Sequence, residues 1–309
     1  MDVRQLRYFV RVVEAKSFTR AADEIRIAQP ALGAQVRRLE QELGAALLVR
    51  HSRGVEPTEA GVALLKHAYA VLRQIDQATT EVADLSGPPR GRLSLGITPT
   101  VSGLLGARLV QLCAERHPGI ALNIVEGLSE QVMLWLAADR VDLGFTYNPQ
   151  AARGIACVEL LTEELFFVGA PAQMAGLPAT VRFARLADRP LILPSRPHGL
   201  RLRIDAAAAQ HGVTLDIRFE IDSVATLREL VEAGVGCTVL PYGSVQSGVR
   251  DGTLTLRRIA RPRPSRALYL GRAANLVESR ASRAVDALIR EVAAERIADR
   301  MGYWRARPP

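Results

Sequence analysis

FTRAADEIRIAQPALGAQVRRLEQELG, residues 18–44, contains two helical patterns separated by only a few residues. Ser17 stands just before the first pattern and is a preferred N-cap residue, and the small side chains of Ala21 and Ala22 permit close contact with a neighbouring helix. Pro30 fits the first turn of the second helix, where an N–H group would have no helical partner in any case. The sequence therefore predicts two short helices joined by a tight turn.

The second of these helices has two different faces. Its inward stripe consists of Leu32, Val36, Leu39 and Leu43, and its outward face carries Pro30, Ala34, Arg37, Arg38 and Gln41. A preceding helix has an apolar stripe of its own at Leu6, Phe9, Val10 and Val13. These patterns fit a helix-turn-helix that presents one helix to the DNA major groove, and they fit an ordinary three-helix bundle with a solvated arginine face equally well.

The next segment favours the DNA-binding alternative. LLVRHSRGVEPT, residues 47–58, alternates apolar and polar residues around a turn at Ser52, Arg53 and Gly54, which predicts a small β-wing. Arg50 and Arg53 on such a wing can reach phosphates or a narrow minor groove. The helices and the wing together predict a winged helix-turn-helix module over residues 1–58.

A long helix follows the wing, and Thr58 can cap it. Apolar positions recur in it at spacings of three and four for more than two heptads: Leu65, Ala68, Leu72, Ile75, Thr79 and Val82. Since this repeat is typical of a coiled-coil seam, the predicted dimerisation residues are Leu65, Leu72, Ile75 and Val82. SGPPRG, residues 86–91, ends the pattern and predicts a hinge after a linker helix at 59–87.

The residues from 6 to 61 resemble the N-terminal domain of the LysR-type transcriptional regulators almost position for position. The matching motifs are Ser17-Phe18, Ala21-Ala22, Gln29-Pro30-Ala31-Leu32, Leu39-Glu40, Leu43-Gly44 and Pro57-Thr58. Because turn, cap and wing residues agree as well as core residues, the resemblance is specific. It implies a sequence-specific, DNA-binding regulator of transcription that works as a homo-oligomer.

The exposed face and the resemblance together select the candidate DNA-binding residues, which are Ser17, Thr19, Gln29, Pro30, Ala31, Gly33, Ala34, Arg37, Arg50, Arg53 and Thr58. The family usually has a serine where this chain has Gly33 and a long polar residue where it has Ala34, and both positions normally face DNA. Since the small residues remove base contacts, we expect Gln29, Pro30, Arg37 and the wing to carry more of the binding. A glycine inside a helix also costs roughly 0.5–1 kcal/mol relative to alanine.

Beyond the hinge, short apolar strands alternate with helices. The segment from RLSLGI (92–97) to VDLGFTYN (141–148) predicts a doubly wound α/β lobe, and the segment from PLILP (190–194) to GCTVLP (236–241) predicts a second one. A strand at RALYLG (266–271) and a final helix can return to the first lobe. The predicted α/β regulatory domain spans 92–300, with lobe I at 92–162 and 266–300 and lobe II at 163–265.

Two such lobes leave a cleft between them, and ligands of α/β sheets bind at the carboxyl ends of strands. That rule selects Thr98, Pro99, Thr100, Ser129, Tyr147, Ser195 and Ser223. Hydroxyl groups and helix N-termini suit a small anion. The family resemblance also implies a periplasmic-binding-protein-like domain whose cleft takes a small-molecule effector. Each of these residues is equally consistent with an ordinary turn or N-cap role.

The net charge of +8 suggests a polyanionic partner, but its distribution does not locate a DNA-binding domain. The formal charge is +2 over residues 1–90, −2 over 91–249 and +8 over 250–309. We expect the arginine-rich segment RRIARPRPSR, residues 257–266, on a solvated edge. Any claim of nucleic-acid binding therefore depends on the geometry of the N-terminal motifs.

Other classes of protein are disfavoured. No apolar run is long enough for a membrane span and the N-terminus does not resemble a signal peptide, so we expect a cytoplasmic protein that joins the nucleoid when it binds DNA. Dinucleotide, nucleophile-elbow and phosphate-loop motifs are missing, and the five histidines lie apart, so neither catalysis nor a cofactor or metal is expected. Cys113, Cys157 and Cys237 are expected to be buried thiols rather than a redox switch.

The sequence thus predicts a regulator rather than an enzyme or a small-molecule binding protein with an accessory helical domain. Its expected partners are double-stranded operator DNA, further copies of itself in a homodimer or homotetramer, and a small anionic effector. RNA polymerase is a candidate partner, and no membrane is expected. The identity of the effector, the target operator and the direction of regulation do not follow from the residues.

Overall fold

The computed structural model describes residues 1–51, 54–83, 87–147, 149, 154–274, 278–298 and 302–306. The N-terminal module contains α1 (Val3–Ala15), α2 (Phe18–Glu24) and α3 (Gln29–Leu43). Asp2 and Gln5 form a reciprocal capping box at the start of α1, and Ser17 accepts a hydrogen bond from the Arg20 N–H at the start of α2. Gly44 ends α3 in the left-handed region at φ +66°, as a C-terminal glycine commonly does.

Two short strands and a long helix complete this part of the chain: β1 (Leu48–His51) and β2 (Gly54–Pro57) pair antiparallel, and α4 (Glu59–Ala83) follows. Helix α1 lies between two apolar clusters. Val12 and Ala15 pack in the cluster shared with α2 and α3, whereas Leu6 and Phe9 pack in the cluster that Ala68 of α4 joins. The linker helix is therefore part of the core of the module.

Lobe I begins with three parallel strands: β3 (Gly91–Ile97), β4 (Ile120–Glu126) and β5 (Leu143–Thr146). A continuous helical run follows β3 and consists of α5 (Pro99–Val101), a π-helical segment at Ser102–Gly106 and α6 (Ala107–Arg116); α7 (Ser129–Ala137) follows β4. This order places the N-termini of α5 and α7 at the carboxyl ends of β3 and β4, on the side where the cleft residues were predicted.

A fifteen-residue strand, β6 (Ile155–Gly169), leads from lobe I into lobe II. The apolar pattern predicted no strand over these residues, and the predicted lobe boundary between 162 and 163 falls inside β6. Three glutamates at 159, 163 and 164 interrupt the apolar pattern of this segment. Glu163 and Glu164 are nevertheless buried, because arginines of distant segments neutralise them.

Lobe II is built from short elements, which are α8 (Pro171–Met174), β7 (Thr180–Arg182), a 3₁₀ helix at Phe183–Asp188, β8 (Leu191–Leu193), α9 (Gly199–Gln210), β9 (Ile217–Glu220), α10 (Val224–Glu232), β10 (Thr238–Pro241), α11 (Tyr242–Arg250) and β11 (Thr255–Ala260). The chain returns through β12 (Ser265–Ala273) and ends with α12 (Arg280–Ala298) and β13 (Trp304–Arg305). The return strand and the last helix lie where the sequence predicted them.

One sheet runs through both lobes, with the strand order β4-β3-β5-β12-β6-β11-β7, and β10 and β13 also pair with β6. Strands β6 and β12 pair antiparallel along nine positions and form the connection between the lobes. Each lobe has its own apolar core, and the rings of Tyr242 and Tyr303 pack against both cores. Within the described residues, no helix combines the length and the apolar character needed to cross a membrane.

Candidate functional site

The outward face of α3 is the first part of the site. Leu32, Val36 and Leu39 are buried as predicted, whereas Leu43, which the inward stripe also included, is 42% exposed because the helix ends there. The candidate DNA-binding residues of this helix that are exposed are Gln29, Pro30, Ala31, Ala34 and Arg37. They lie on one side of a helix whose other side is fixed in the core, so they are accessible to a DNA groove.

Gly33 does not share this exposure, since it is buried in the folded chain. A Cβ atom on Gly33 would lie 3.5 Å from Nη1 of Arg37, one turn further along the same helix. The guanidinium of Arg37 therefore extends back over position 33. Position 33 thus lies beneath the Arg37 side chain, with enough space for a Cβ atom.

The hydroxyl groups at the ends of the helices differ in whether they are already hydrogen-bonded within the protein. Thr19 is exposed in the first turn of α2, and Ser17 uses its oxygen to cap the same helix. Thr58 donates to the Ala46 carbonyl oxygen at 2.7 Å and accepts from the Gly61 N–H at 3.0 Å. Thr58 thus caps α4 as predicted, and its hydroxyl is already engaged within the protein.

The wing stands beside α2. Arg50 in β1 is exposed, and its guanidinium carbon lies 4.3 Å from the centre of the Phe18 ring, a cation–π contact that ties the wing to the start of α2. The predicted antiparallel pairing is present, with His51 opposite Gly54 next to the turn. Arg53 and Ser52 lie outside the described residues.

The predicted dimerisation stripe of α4 divides into two parts. Leu65, Ala68 and Leu72 pack against the cluster that contains Leu6 and Phe9, so this end of the stripe belongs to the core of the module. Ile75 is half-buried, and the side chain of Val82 lies outside the described residues. Beside the stripe, Val71 is 42% exposed. Part of the predicted stripe is therefore committed to the core, and the exposed large apolar residues of α4 among the described side chains are Val62 and Val71.

The lobe I side of the cleft is formed by the loops after β3, β4 and β5. Thr98 is the N-cap residue of the run that begins at Pro99, but its buried hydroxyl oxygen accepts no hydrogen bond from that helix. Ser129 begins α7, and its oxygen accepts a hydrogen bond from the Tyr147 N–H at 3.1 Å. Thr98, Ser129 and Tyr147 are therefore brought together, as the strand-end rule predicted.

Thr100 makes a contact that the sequence did not predict. Its side chain is 8% exposed, and its oxygen accepts a hydrogen bond at 3.2 Å from the hydroxyl of Ser244 in α11 of lobe II. The backbones are also close here, since a Cβ atom on Gly103 would lie 3.1 Å from the carbonyl oxygen of Gly243. Thr100 thus forms part of a direct contact between the lobes.

The lobe II side contains two of the predicted serines and two residues that sequence reasoning did not select. Ser195 donates to Asp222 through its backbone N–H at 2.9 Å and its hydroxyl at 2.7 Å, and these bonds lower the pKa of the Asp222 carboxyl. Ser223 caps α10. His198 caps α9 by accepting the Leu200 N–H at 3.1 Å through Nδ1, so its proton is on Nε2.

A buried charged group forms the floor between these two sides. Arg266 of β12 is 6% exposed; its Nε lies 2.6 Å from Glu163 of β6, and its guanidinium carbon lies 3.6 Å from the centre of the Tyr147 ring. Burial and the nearby Glu163 carboxylate raise the pKa of Tyr147. Nη2 of Arg266, Oε2 of Glu163 and the hydroxyl oxygens of Thr98 and Tyr147 form no hydrogen bond of good geometry within the described residues.

The solvated edge predicted for residues 257–266 holds for part of the segment, since Arg261 and Arg263 are exposed, although Arg263 pairs with Glu164 at 2.6 Å. It is wrong for Arg266, which is buried, and the half-buried Arg257 donates to the carbonyl oxygens of Met174 and Leu177. Arg263 and Arg266 lie beside β6 because its glutamates need partners there. The sequence signal was available, since two adjacent glutamates in an otherwise apolar strand require buried cations.

A separate cavity of about 720 Å³ lies between the DNA-binding module and lobe I. Its lining includes Arg7 and Tyr8 of α1, Tyr69 of α4, and Arg92 and Arg140 of lobe I. None of the predicted effector residues lines it. The cleft between the lobes and this cavity are therefore different places in the fold.

The three cysteines are free thiols. Cys113 and Cys237 are buried and Cys157 is half-buried, and burial raises the pKa of all three, that of Cys237 to about 11. A raised pKa keeps a thiol protonated and poorly nucleophilic. Within the described residues, no group of histidines, cysteines and carboxylates could hold a metal ion.

Comparison with known proteins identifies the family that shares this architecture. Residues 3–62 match the family model described as bacterial regulatory helix-turn-helix protein, lysR family, and residues 86–294 match the LysR substrate binding domain. The nitrogen assimilation regulatory protein nac of Escherichia coli is 35% identical over 298 residues, covering 94% of this chain and 95% of nac. The transcriptional regulator BbuR of Bordetella bronchiseptica is 32% identical, covering all of this chain and 94% of its own length.

Among solved structures, a full-length OxyR variant from Pseudomonas aeruginosa has the same fold, with a TM-score of 0.76 at 22% identity over all of this chain and 99% of that chain. The family models and the solved structure agree with an N-terminal helix-turn-helix domain followed by a two-lobed substrate-binding domain. This chain belongs to the LysR family of bacterial helix-turn-helix regulators and is a DNA-binding transcriptional regulator with an effector-binding domain.

Proposed function

We propose that the chain works as a homodimer, or as a pair of dimers, that reads two operator half-sites with α3 and the wing. The functional units would be a DNA-binding domain at 1–58, a linker and dimerisation helix at 59–87 and a two-lobed regulatory domain at 92–300. The observation that carries this proposal is the single exposed face of α3, where Gln29, Pro30, Ala34 and Arg37 stand opposite a buried stripe. Once bound, the regulator would act on transcription through RNA polymerase.

The DNA-binding proposal can be tested with the full-length protein. Selection from a pool of genomic fragments identifies the preferred operator, and titration of that operator then compares Arg37→Ala and Gln29→Ala with the parent. We expect both variants to bind more weakly. Arg185→Ala is a matched control, because this exposed arginine of lobe II pairs only with Asp188 among the described contacts. Equal affinity of all four proteins would remove α3 from the interface.

We further propose that a small effector with an anionic group binds between the lobes, near Thr98, Ser129 and Ser195. Support comes from the N-termini of the α5–α6 run and of α7, neither of which has a side-chain cap, and from the Thr98 hydroxyl, which is buried beside Tyr147 and forms no hydrogen bond of good geometry among the described residues. Uncapped helix N-termini attract negative charge. A ligand that touches both lobes would stabilise one arrangement of the lobes over another and so alter the assembly on DNA.

A screen of small metabolites by thermal shift tests the effector proposal. Any compound that stabilises the parent is repeated with Ser129→Ala and Ser195→Ala, and we expect both variants to lose the effect. Stabilisation of both variants to the same degree would place the site elsewhere. If a broad screen gives no hit, control of this regulator through its own abundance becomes the better proposal.

A further inference from the structure

The cavity between the DNA-binding module and lobe I has a polar wall that belongs to lobe I. Leu93 and Leu95 of β3 are buried in the core of this lobe. Arg92 and Ser94 alternate with them along the strand, so they face the other way and line the cavity. Asn123 stands opposite Ser94 on the neighbouring strand β4 and donates to its hydroxyl oxygen at 3.3 Å. Strand pairing therefore fixes this wall.

Arginines are concentrated at the polar wall. Arg90 comes just before β3 and Arg140 comes before β5, and because these two strands are parallel neighbours, both arginines lie at the same end of the sheet. Arg90, Arg92 and Arg140 are exposed, and none of them forms an ion pair with a described residue. Arg140 lies over the Trp135 ring at 5.1 Å, a contact that leaves its charge in place. The wall thus presents three cations that no carboxylate neutralises within the described chain.

The carboxylates of the cavity are fewer and are engaged. Glu14 pairs with Arg11 at 3.2 Å and accepts a hydrogen bond from the Tyr69 hydroxyl at 3.1 Å. Asp142 accepts a backbone N–H of β3 at 2.7 Å, and Asp139 also has a partner within the protein. Five arginines and three carboxylates line the cavity, so its lining carries a formal excess of two positive charges.

The opposite wall is largely apolar and belongs to the DNA-binding module. It includes Tyr8 and Val10 of α1 and Tyr69 and Leu72 of α4. An apolar wall lowers the local dielectric constant, so the attraction between a bound anion and the arginines facing it is stronger than in open water. The volume of about 720 Å³ falls within the usual range of small-molecule sites.

We infer that this cavity binds a small anion that carries two or more linked phosphate groups, held by Arg90, Arg92 and Arg140. Guanidinium groups match phosphate oxygens in charge and in bidentate geometry, and three cations without carboxylate partners suit more than one negative charge. An inorganic oligophosphate and the phosphate chain of a nucleotide share this chemistry. In the second case the base would lie on the wall of Tyr8 and Tyr69. This site is independent of the proposed effector cleft.

Calorimetry and thermal shift with the full-length protein test the site. The probes are inorganic triphosphate, ATP and AMP, at about 0.15 M salt, where the attraction of scattered surface charges is screened. We expect triphosphate and ATP to bind, and AMP to bind about tenfold more weakly because it has a single phosphate. Equal affinity for triphosphate and ATP would identify the oligophosphate as the ligand, and tighter binding of ATP would identify a nucleotide; both results support the inference.

Two variants locate the phosphate groups. Arg92→Gln and Arg140→Gln each remove one exposed cation of the wall, and we expect each to weaken binding of triphosphate by about tenfold. Arg182→Gln is the matched control, because Arg182 is an exposed arginine of β7 that does not line the cavity and has no ion-pair partner among the described residues. This control should bind like the parent. Melting temperatures without ligand check that all three variants are folded.

Several results would overturn the inference. They are a lack of binding by both triphosphate and ATP, and equal binding of triphosphate by the parent and the two cavity variants. Citrate, which carries a similar charge on carboxylates, should bind more weakly than triphosphate, and equal affinity would make the phosphate assignment wrong. If the cavity variants instead weaken operator binding and reduce its salt slope without any ligand, these arginines contact DNA and the ligand site is wrong.

Discussion

The carbonyl oxygen of Lys16 lies only 2.7 Å from the place where a Cβ atom on Gly54 would stand. The same oxygen accepts the Val55 N–H at 3.0 Å, and Gly54 has a φ of +135°, a region that favours glycine. The turn between α1 and α2 and the first residues of β2 are therefore in direct contact. This contact fixes the wing against the turn between α1 and α2.

We expect Gly54→Ala to displace the wing, because both the contact and the backbone angle oppose a side chain. The free energy of unfolding should fall by about 1–3 kcal/mol, and affinity for the operator should fall with it. Urea unfolding followed by circular dichroism measures the first effect. Gly87→Ala is the control, since nothing lies within 4 Å of its added carbon and its φ is not in the glycine region. A stable wing in Gly54→Ala would contradict the docking described above.

The pair Gly33 and Arg37 should determine how the recognition helix reads DNA. At 3.5 Å an added Cβ makes ordinary contact with Arg37, so Gly33→Ala should stabilise the helix by roughly 0.5–1 kcal/mol and leave binding intact. Gly33→Gln should displace the guanidinium and weaken operator binding. A double-mutant cycle tests the coupling, because Gly33→Gln should add no further loss in the Arg37→Ala background. Additive losses would mean that the two residues act independently.

The wing and the helix should affect salt dependence differently. Arg53→Ala is expected to reduce the slope of log affinity against log salt by about 1 while leaving sequence preference intact, as loss of a phosphate contact does. Gln29→Ala should instead relax the preference at one base position. Titrations at several salt concentrations, on the operator and on single-base variants of it, measure both quantities. An unchanged slope for Arg53→Ala would exclude a phosphate contact.

Two neighbouring residues of α4 should have different effects. Leu72→Asp places a charge beside the cluster of Leu6 and Phe9, so it should destabilise the DNA-binding module itself. Val71→Asp changes an exposed apolar residue and should weaken the dimer without unfolding the module. Sedimentation and thermal unfolding of both variants distinguish the effects. A fully dimeric, DNA-competent Val71→Asp protein would show that the subunits associate through another surface.

Stability should depend on pH through His198. Since burial lowers its folded-state pKa below 6.5, the unfolded chain takes up a proton first as the pH falls. Stability is therefore complete above about pH 6.5 and declines below it. His198→Asn keeps a capping side chain and should flatten melting temperature against pH between about 5 and 6.5. His211→Asn, at the exposed C-terminal end of α9, should retain the profile of the parent.

Local patterns were sufficient for the N-terminal module. The caps at Ser17 and Thr58, the buried stripe of α3 and the two strands of the wing were all predicted, because each depends on residues close together in the chain. Gly33 and Leu43 are exceptions within this module. Leu43 is exposed because α3 ends there. The burial of Gly33 depends on where the side chain of Arg37 extends, and helical periodicity does not specify the path of a long side chain.

Sequence periodicity also identified the two-lobed α/β architecture and the strand ends at Thr98, Ser129, Tyr147 and Ser195. It did not identify β6, because Glu163 and Glu164 look like surface residues until their partners are known. Those partners are arginines about 100 residues away in the chain, and only the folded sheet brings them together.

The sequence by itself determined the helix-turn-helix, the wing and the alternation of strands and helices, since hydrophobic period, capping and turn chemistry are local properties. Tertiary structure alone decided which charges are neutralised. The pairing of Glu163 with Arg266 removes the positive charge from the cleft floor, and the packing of Leu65 and Leu72 against α1 commits part of the predicted dimer seam to the core of the module. Both results depend on contacts between distant segments, which an amino-acid pattern along the chain does not contain.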